Sequence, residues 1–271
     1  MSNTQNLVMF IEHCDLQVTN ETEHSISKEL IKEITNNEDL IIEKVSERSL
    51  VSQASISRFI RKAKFPSWAT FRSHCTATAE HMRMRRMARH NKLFKKESKE
   101  EIADVLYNRI FENVYATKKN LDYEKIDVLL SMMLEADQVM ILGDEHALSI
   151  FYTLQLDLVF HGIPTYLYRL ENVQKLQTNF LTEKSVLLYL SIEDLFTRNN
   201  HIQILETAKK KHCKIACLAQ QELSIHSLFD YFYLYGIENS TNDGYYSLFF
   251  LSQLLSELLV EKQRNVSSFR Y

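Results

Sequence analysis

The chain has 271 residues, of which 45% are apolar and 25% charged, a globular balance that excludes wholesale disorder and leaves room for two cores. The net charge is only -3, and there is no apolar run of about 18 residues or more, so no transmembrane helix is expected. Glycine (4) and proline (2) are scarce against usual shares of about 7% and 5%.

All four glycines (Gly143, Gly162, Gly236, Gly244) lie in the second half, so the first half is predicted to be almost continuously helical. Met1 to Asn6 is polar and lacks the pattern of a signal peptide. Cys14, Cys75, Cys213 and Cys217 form no CxxC pair, which reads as buried free thiols in a reduced cytoplasm.

A helix-turn-helix is predicted over Ile41 to Phe65, within an all-α domain of residues 1–80. Its first helix buries Ile42 and Val45 and keeps the small Ser46 where a second helix must approach closely. Leu50 stands in the turn, Val51 plugs it, and Ser52 is a natural N-cap. In the second helix Ile56, Phe59, Ile60 and Ala63 fall at i, i+3, i+4 and i+7, one inward face. The outward face carries Gln53, Ala54, Ser57, Arg58 and Arg61. Arg pairs bidentately with guanine and Gln with adenine in the major groove, while Ser52 and Lys62 suit phosphates. Leu50 and Lys64 stand where glycine often ends such helices, and a distorted turn is expected from a left-handed backbone costing about 1 kcal/mol or more.

Charge supports this reading. Residues 58–96 carry 12 basic side chains against one acidic residue, Glu80, while residues 1–57 carry 4 basic and 10 acidic. A concentrated positive segment in an otherwise acidic chain is the footprint of a polyanion binder. Along it Met82, Met84 and Met87 alternate with arginines and are expected to pack on the first domain or a partner chain. A basic, then mixed, helical connector over residues 81–120 follows, in which Ile102, Leu106, Ile110 and Val114 form a packing stripe.

From residue 121 to about 265 strands and helices alternate, which predicts an α/β domain with a parallel five-stranded sheet flanked by helices. The strands are Val139 to Leu142, Thr165 to Leu170, Val186 to Ser191, Ile215 to Ala219 and Tyr231 to Tyr235. Helices are expected over Ala147 to Phe160, Asn200 to His212 and Tyr245 to Lys262. The aromatic cluster from Tyr231 to Phe250 reads as core and subunit interface.

The run Leu50-Val51-Ser52-Gln53-Ala54-Ser55-Ile56-Ser57-Arg58-Phe59 resembles the V-S-x-x-T/S-V/I-x-R-F signature of the RpiR family of bacterial regulators. Phe65-Pro66-Ser67-Trp68-Ala69-Thr70-Phe71-Arg72 is similar to its G-F-x-x-F-x-x-F/L-K/R continuation without the glycine. The resemblance implies a helix-turn-helix joined to a C-terminal sugar isomerase (SIS) domain that dimerises and senses a sugar phosphate. Double-stranded DNA and a second copy of the chain are then the expected partners, forming a homodimer or homotetramer on a palindromic operator of carbohydrate-related genes.

The family's G-x-G-x-S loop reads Gly143-Asp144-Glu145-His146-Ala147 here, and its S-x-S-G-x-T loop reads Ser191-Ile192-Glu193-Asp194-Leu195-Phe196. Carboxylates replace hydroxyls and amides that would bind phosphate, which puts the usual phosphosugar site in question. The candidate effector residues are Gly143, His146, Ser191, Thr197 and Arg198.

His146 beside Glu145 invites an acid–base reading as well as a capping one. His161, His201, His212 and His226 show no metal-ligand spacing, and neither a metal nor a cofactor is expected. Two alternatives stand beside the regulator: a sugar-phosphate isomerase, which needs an intact phosphate loop and a base, and a regulator whose second domain only dimerises.

Overall fold

The computed structural model describes all residues except 1–6, 8–9, 12, 17–19, 35–39, 94–97, 169–170, 193–198, 238–242 and 268–271. Within the helices, the side chains of residues 81–82, 85, 88–93, 171–172, 199–200 and 263–267 are also outside the description. The backbone divides into two compact units, Met1–Glu97 and Ser98–Tyr271.

In the first unit the described elements are helical: α1 Glu21–Glu33, α2 Ile42–Ser49, α3 Gln53–Lys62 and α4 Trp68–Leu93. Asn20 starts α1 by accepting from the Glu23 amide at 3.1 Å. The predicted inward face of α3 is the core, with Ile56, Phe59, Ile60 and Ala63 all buried. Val45 of α2 is fully buried and Ile42 packs against the cluster half-exposed. Phe10 sits at its centre, its ring 4.8 Å from Phe71, 6.4 Å from Phe65 and 6.5 Å from Phe59.

The turn between α2 and α3 is regular, against the expected distortion. Leu50 adopts φ 56°, ψ 34°, and Lys64 adopts φ 68°, so both occupy the left-handed region without glycine. Each ends its helix in a Schellman motif. Val51 N donates to Ser46 O at 3.2 Å and Leu50 N to Glu47 O at 3.3 Å; Phe65 N donates to Ile60 O at 3.1 Å and Lys64 N to Arg61 O at 3.0 Å. The residue after each left-handed position, Val51 or Phe65, packs on the core and holds the motif closed. Ser46 has a role beyond the small size expected of it: its Oγ donates to Val51 O at 2.6 Å, tying α2 to the turn.

Two helices, α4 and α5 (Lys99–Lys119), occupy the predicted connector. A capping box starts α5: Ser98 N donates to Glu101 Oε2 at 2.6 Å and Glu101 N to Ser98 Oγ at 3.2 Å. The aliphatic stripe of α5 is only half-covered, Leu106 being exposed, and its buried centre is polar, Asn113 and Thr117. Met84 and Met87 are 60% and 55% exposed, so neither belongs to the core of the first unit; the Met82 side chain lies outside the described residues.

The second unit continues with α6 Tyr123–Leu134, β1 Val139–Leu142, α7 Glu145–Ile150, α8 Tyr152–Phe160, β2 Thr165–Leu167, α9 Glu171–Gln177, β3 Val186–Ser191, α10 Asn199–Lys210, β4 Lys214–Ala219, β5 Tyr231–Leu234 and α11 Gly244–Ser267. The five strands form a parallel sheet of order β2-β1-β3-β4-β5. Alternate residues feed opposite cores. Val139, Ile141, Val186, Leu188 and Leu190 meet residues of α6, α7, α8 and α11, while Met140, Leu142, Leu187 and Tyr189 meet residues of α10.

Several boundaries differ from expectation. The helix predicted over Ala147 to Phe160 is two helices, broken at Phe151 (φ -88°, ψ 7°), whose ring is fully buried. The second strand ends at Leu167 rather than Leu170, and α6 and α9 were not anticipated. The four cysteines are buried free thiols; burial pushes Cys14 up to about 11 and Cys75 and Cys213 up to about 12.

Replacing Leu50 with glycine is expected to stabilise the first unit by about 0.5–1 kcal/mol, because left-handed strain is relieved by more than the chain entropy lost. Urea denaturation of the two proteins measures the difference, and a destabilised variant would refute the strain argument.

Candidate functional site

Two surfaces carry the predicted site residues, one in each unit. In the first, Ser52 accepts from the Ser55 amide at 3.2 Å and starts α3. Opposite the buried face of α3, Gln53, Ala54, Arg58, Arg61 and Lys62 are exposed and Ser57 is half-buried, so the helix brings the predicted set onto one open side. An Arg58 guanidinium nitrogen donates to Ser55 Oγ at 3.1 Å, which orients it toward the helix N-terminus. Lys62 pairs with Glu23 of α1, leaving Arg58 and Arg61 to supply most of the open positive charge of α3. The 92% exposed Leu50 adds an apolar tip at the turn.

In the second unit the strand order reverses between β1 and β3, the position outside whose carboxyl ends ligands of open α/β sheets bind. Gly143 leaves β1 there. A Cβ on it would lie 3.1 Å from Leu190 Cβ, so the loop approaches β3 as closely as glycine allows. Ser191 is buried, and its carbonyl accepts from Gln220 N at 3.1 Å and from the Tyr235 hydroxyl at 3.2 Å. His146 is exposed, with its ring edge-on to Tyr245 at 4.3 Å. Thr197 and Arg198 lie outside the described residues, as do Glu193 and Asp194.

What sequence reading missed is the use made of Asp144. Its Oδ1 accepts from the Ala147 amide at 2.9 Å and its Oδ2 from the Tyr245 hydroxyl at 3.0 Å. The carboxylate of the chain itself therefore stands at the start of α7. The signal was present in part, since Asp followed three residues later by the first apolar helical position is a cap pattern, but Tyr245 lies 101 residues away.

A separate cleft of about 720 Å³ opens beyond the carboxyl ends of β4 and β5, lined by Asn120, Asp122, Lys125, Gln220, His226 and Tyr233 among others. Gly143, His146 and Ser191 do not line it. Beside it, Arg109 of α5 pairs with Asp243, a carboxylate only 4% exposed. Among the described residues no three His, Cys, Asp or Glu side chains gather as a metal site, and no helix is long and apolar enough to cross a membrane.

No family model and no curated protein matches the sequence, but solved structures match the fold. The Vibrio vulnificus NanR protein complexed with ManNAc-6P is similar over 97% of this chain and 94% of its own, with TM-score 0.53 and 13% identity. The sugar isomerase domain of an RpiR transcription factor from Sphaerobacter thermophilus covers 60% of this chain and 93% of its own, with TM-score 0.50 and 17% identity. The second unit has a SIS-like fold. A phosphoheptose isomerase from Francisella tularensis shares it, over 61% of this chain and all of its own, with TM-score 0.51 and 13% identity. Regulators and an enzyme thus stand on one architecture, and the fold does not by itself choose between them.

The Asp144→Ala variant is expected to lose about 1–3 kcal/mol, the cap of α7 together with the partner of a half-buried hydroxyl. Tyr245→Phe alone is expected to lose less, about 1 kcal/mol. Urea midpoints of the two variants test this, and an unchanged midpoint for Asp144→Ala would show that the carboxylate does not hold the loop.

Proposed function

We propose that the protein is a DNA-binding transcription regulator of the RpiR type. In this reading its helical unit reads duplex DNA through α3, and its SIS-like unit pairs copies and takes a sugar-type effector. The observation that carries the reading is the two-sidedness of α3: a fully buried Ile56, Phe59 and Ile60 face, and an exposed face bearing Gln53, Arg58 and Arg61 after a tight turn. Side chains at the start of such a helix reach base edges in the major groove. Lys62 gives up only an exposed pair with Glu23, worth about 0–1 kcal/mol, to meet a phosphate. The basic residues clustered from Arg58 onward add the sequence-independent attraction. The likeness to the NanR protein over nearly the whole chain supports the same order of units along the chain.

A duplex selected from a random-sequence library by the full-length protein provides the operator. Arg58→Ala is expected to weaken binding to that duplex by about 1–3 kcal/mol and to relax preference at one base pair, with affinity falling steeply as salt rises. Operator affinity unchanged in the variant defeats the assignment of Arg58.

For the effector, Gly143, His146 and Ser191 flank the switch point, with Thr197 and Arg198 expected on the neighbouring loop. Asp144 opposes a phosphate there by about 1–4 kcal/mol at contact distance, so an uncharged or amino sugar suits the site better than a sugar phosphate. In thermal-shift measurements a bound ligand at a hundred times its dissociation constant stabilises by about 2.7 kcal/mol. Sugars and amino sugars are expected to give such a shift and their 6-phosphates none. The opposite ranking would show that Asp144 leaves the site when ligand binds.

A further inference from the structure

The face of α5 turned away from its own domain is built to meet another surface. Tyr107, Phe111 and Tyr115 are 66%, 54% and 55% exposed and stack on one another, with centroids 6.2 and 5.8 Å apart and planes within 14° and 16°. At about 100° per residue they share one strip, about 80° wide, with Glu100 and Asp104 at its amino end and Lys118 at its carboxyl end, all exposed. The strip lies opposite Asn113 and Thr117, which α5 buries. Three stacked aromatic rings open to water are an unusual surface for a chain that acts alone, and tyrosine-rich centres with charged rims are the anatomy of protein interfaces.

The order of residues names the occupant. Positions 104 and 118, and likewise 107 and 115, are equally spaced about Phe111. A two-fold axis at Phe111 therefore lays each ring on a ring and Asp104 of one copy against Lys118 of the other, twice over. A parallel pairing would set Asp104 on Asp104 and Lys118 on Lys118. We propose that α5 is a self-pairing helix: two copies of this chain meet antiparallel along the Asp104–Tyr107–Phe111–Tyr115–Lys118 strip. The proposal rests on the homo-oligomer reading above and supplies its surface; it does not depend on DNA recognition.

The test is sedimentation of the full-length protein, with circular dichroism to confirm folding of each variant. The wild type is expected to be dimeric, and Phe111→Glu to raise the dimer dissociation constant by at least about 100-fold, since two carboxylates then meet on the axis. Asp104→Lys and Lys118→Asp are each expected to raise it about tenfold, and the double variant to recover to within about threefold, because the swapped charges again pair across the axis. These charge swaps decide the matter if Phe111→Glu fails to fold. Phe111→Cys is expected to cross-link to its own symmetry mate under mild oxidation, the four native thiols being buried. A dimer indifferent to every change, and no cross-link, removes α5 as the surface while leaving the homo-oligomer reading intact. A monomeric wild type removes both.

Discussion

The second unit is organised by a strand that is buried along its whole length. All six residues of β3, Val186 to Ser191, are buried, so both faces of the sheet must be covered. Alternation then sends Val186, Leu188 and Leu190 into one core and Leu187 and Tyr189 into the other. A parallel sheet covered on both sides requires helical crossovers, and these leave the carboxyl ends of the strands as the place where loops converge. With β1 and β3 adjacent and the helices that follow them on opposite faces, the carboxyl ends of the two strands, Leu142 and Ser191, share one edge of the sheet. The location of Gly143, Asp144 and Ser191 at a common edge is thus a consequence of burying β3.

The first unit solves a different problem, that of turning without glycine. Leu50 and Lys64 each accept left-handed backbone at about 1–2 kcal/mol. Against this, the buried rings of Phe10, Phe59, Phe65 and Phe71 contribute about 2–3 kcal/mol each. The packing term exceeds the strain, and because Val51 and Phe65 are themselves part of the packed cluster, the strained turns cannot relax without opening it. The exposed side of α3 is in this way held largely by buried side chains on its other face.

Much of this was legible in the chain because period and composition act locally. The five strands are short apolar runs, and the inward face of α3 repeats at helical spacing. The parts that escaped are decided by contacts between distant residues. The break falls at Phe151, whose ring is fully buried in the core, and no glycine or proline marks it. The helix α9 is a mostly polar stretch of about two turns, Glu171 to Gln177, with too few apolar positions to show a period. On α5 the aliphatic stripe drew attention from the helix's buried polar residues and from the aromatic ladder on its far side. For the switch-point residues, the sequence showed a carboxylate where a phosphate-binding loop was expected, but not that Tyr245 would hold it.

Those distant contacts converge on the amino end of α11. Tyr245 bonds Asp144 of the loop after β1, and Asp243, two residues earlier, pairs with Arg109 of α5. One turn along α5 from Arg109, the Asn113 side-chain oxygen accepts from Ile237 N at 3.2 Å and from Ser247 Oγ at 3.3 Å. Gly236 permits this approach, being left-handed at φ 74° with no room for a Cβ within 2.9 Å of that oxygen. Each bond satisfies a buried or half-buried polar group and contributes about 0.5–1.5 kcal/mol, more where the Asp243 carboxylate takes part. The switch-point loop, the start of α11 and the middle of α5 are consequently held in one register by directional charges and hydrogen bonds, in addition to the apolar packing of Leu148, Leu248 and Leu251. Arg109 and Asn113 anchor one side of α5 by directional bonds, and with it the direction in which Tyr107, Phe111 and Tyr115 face on the other.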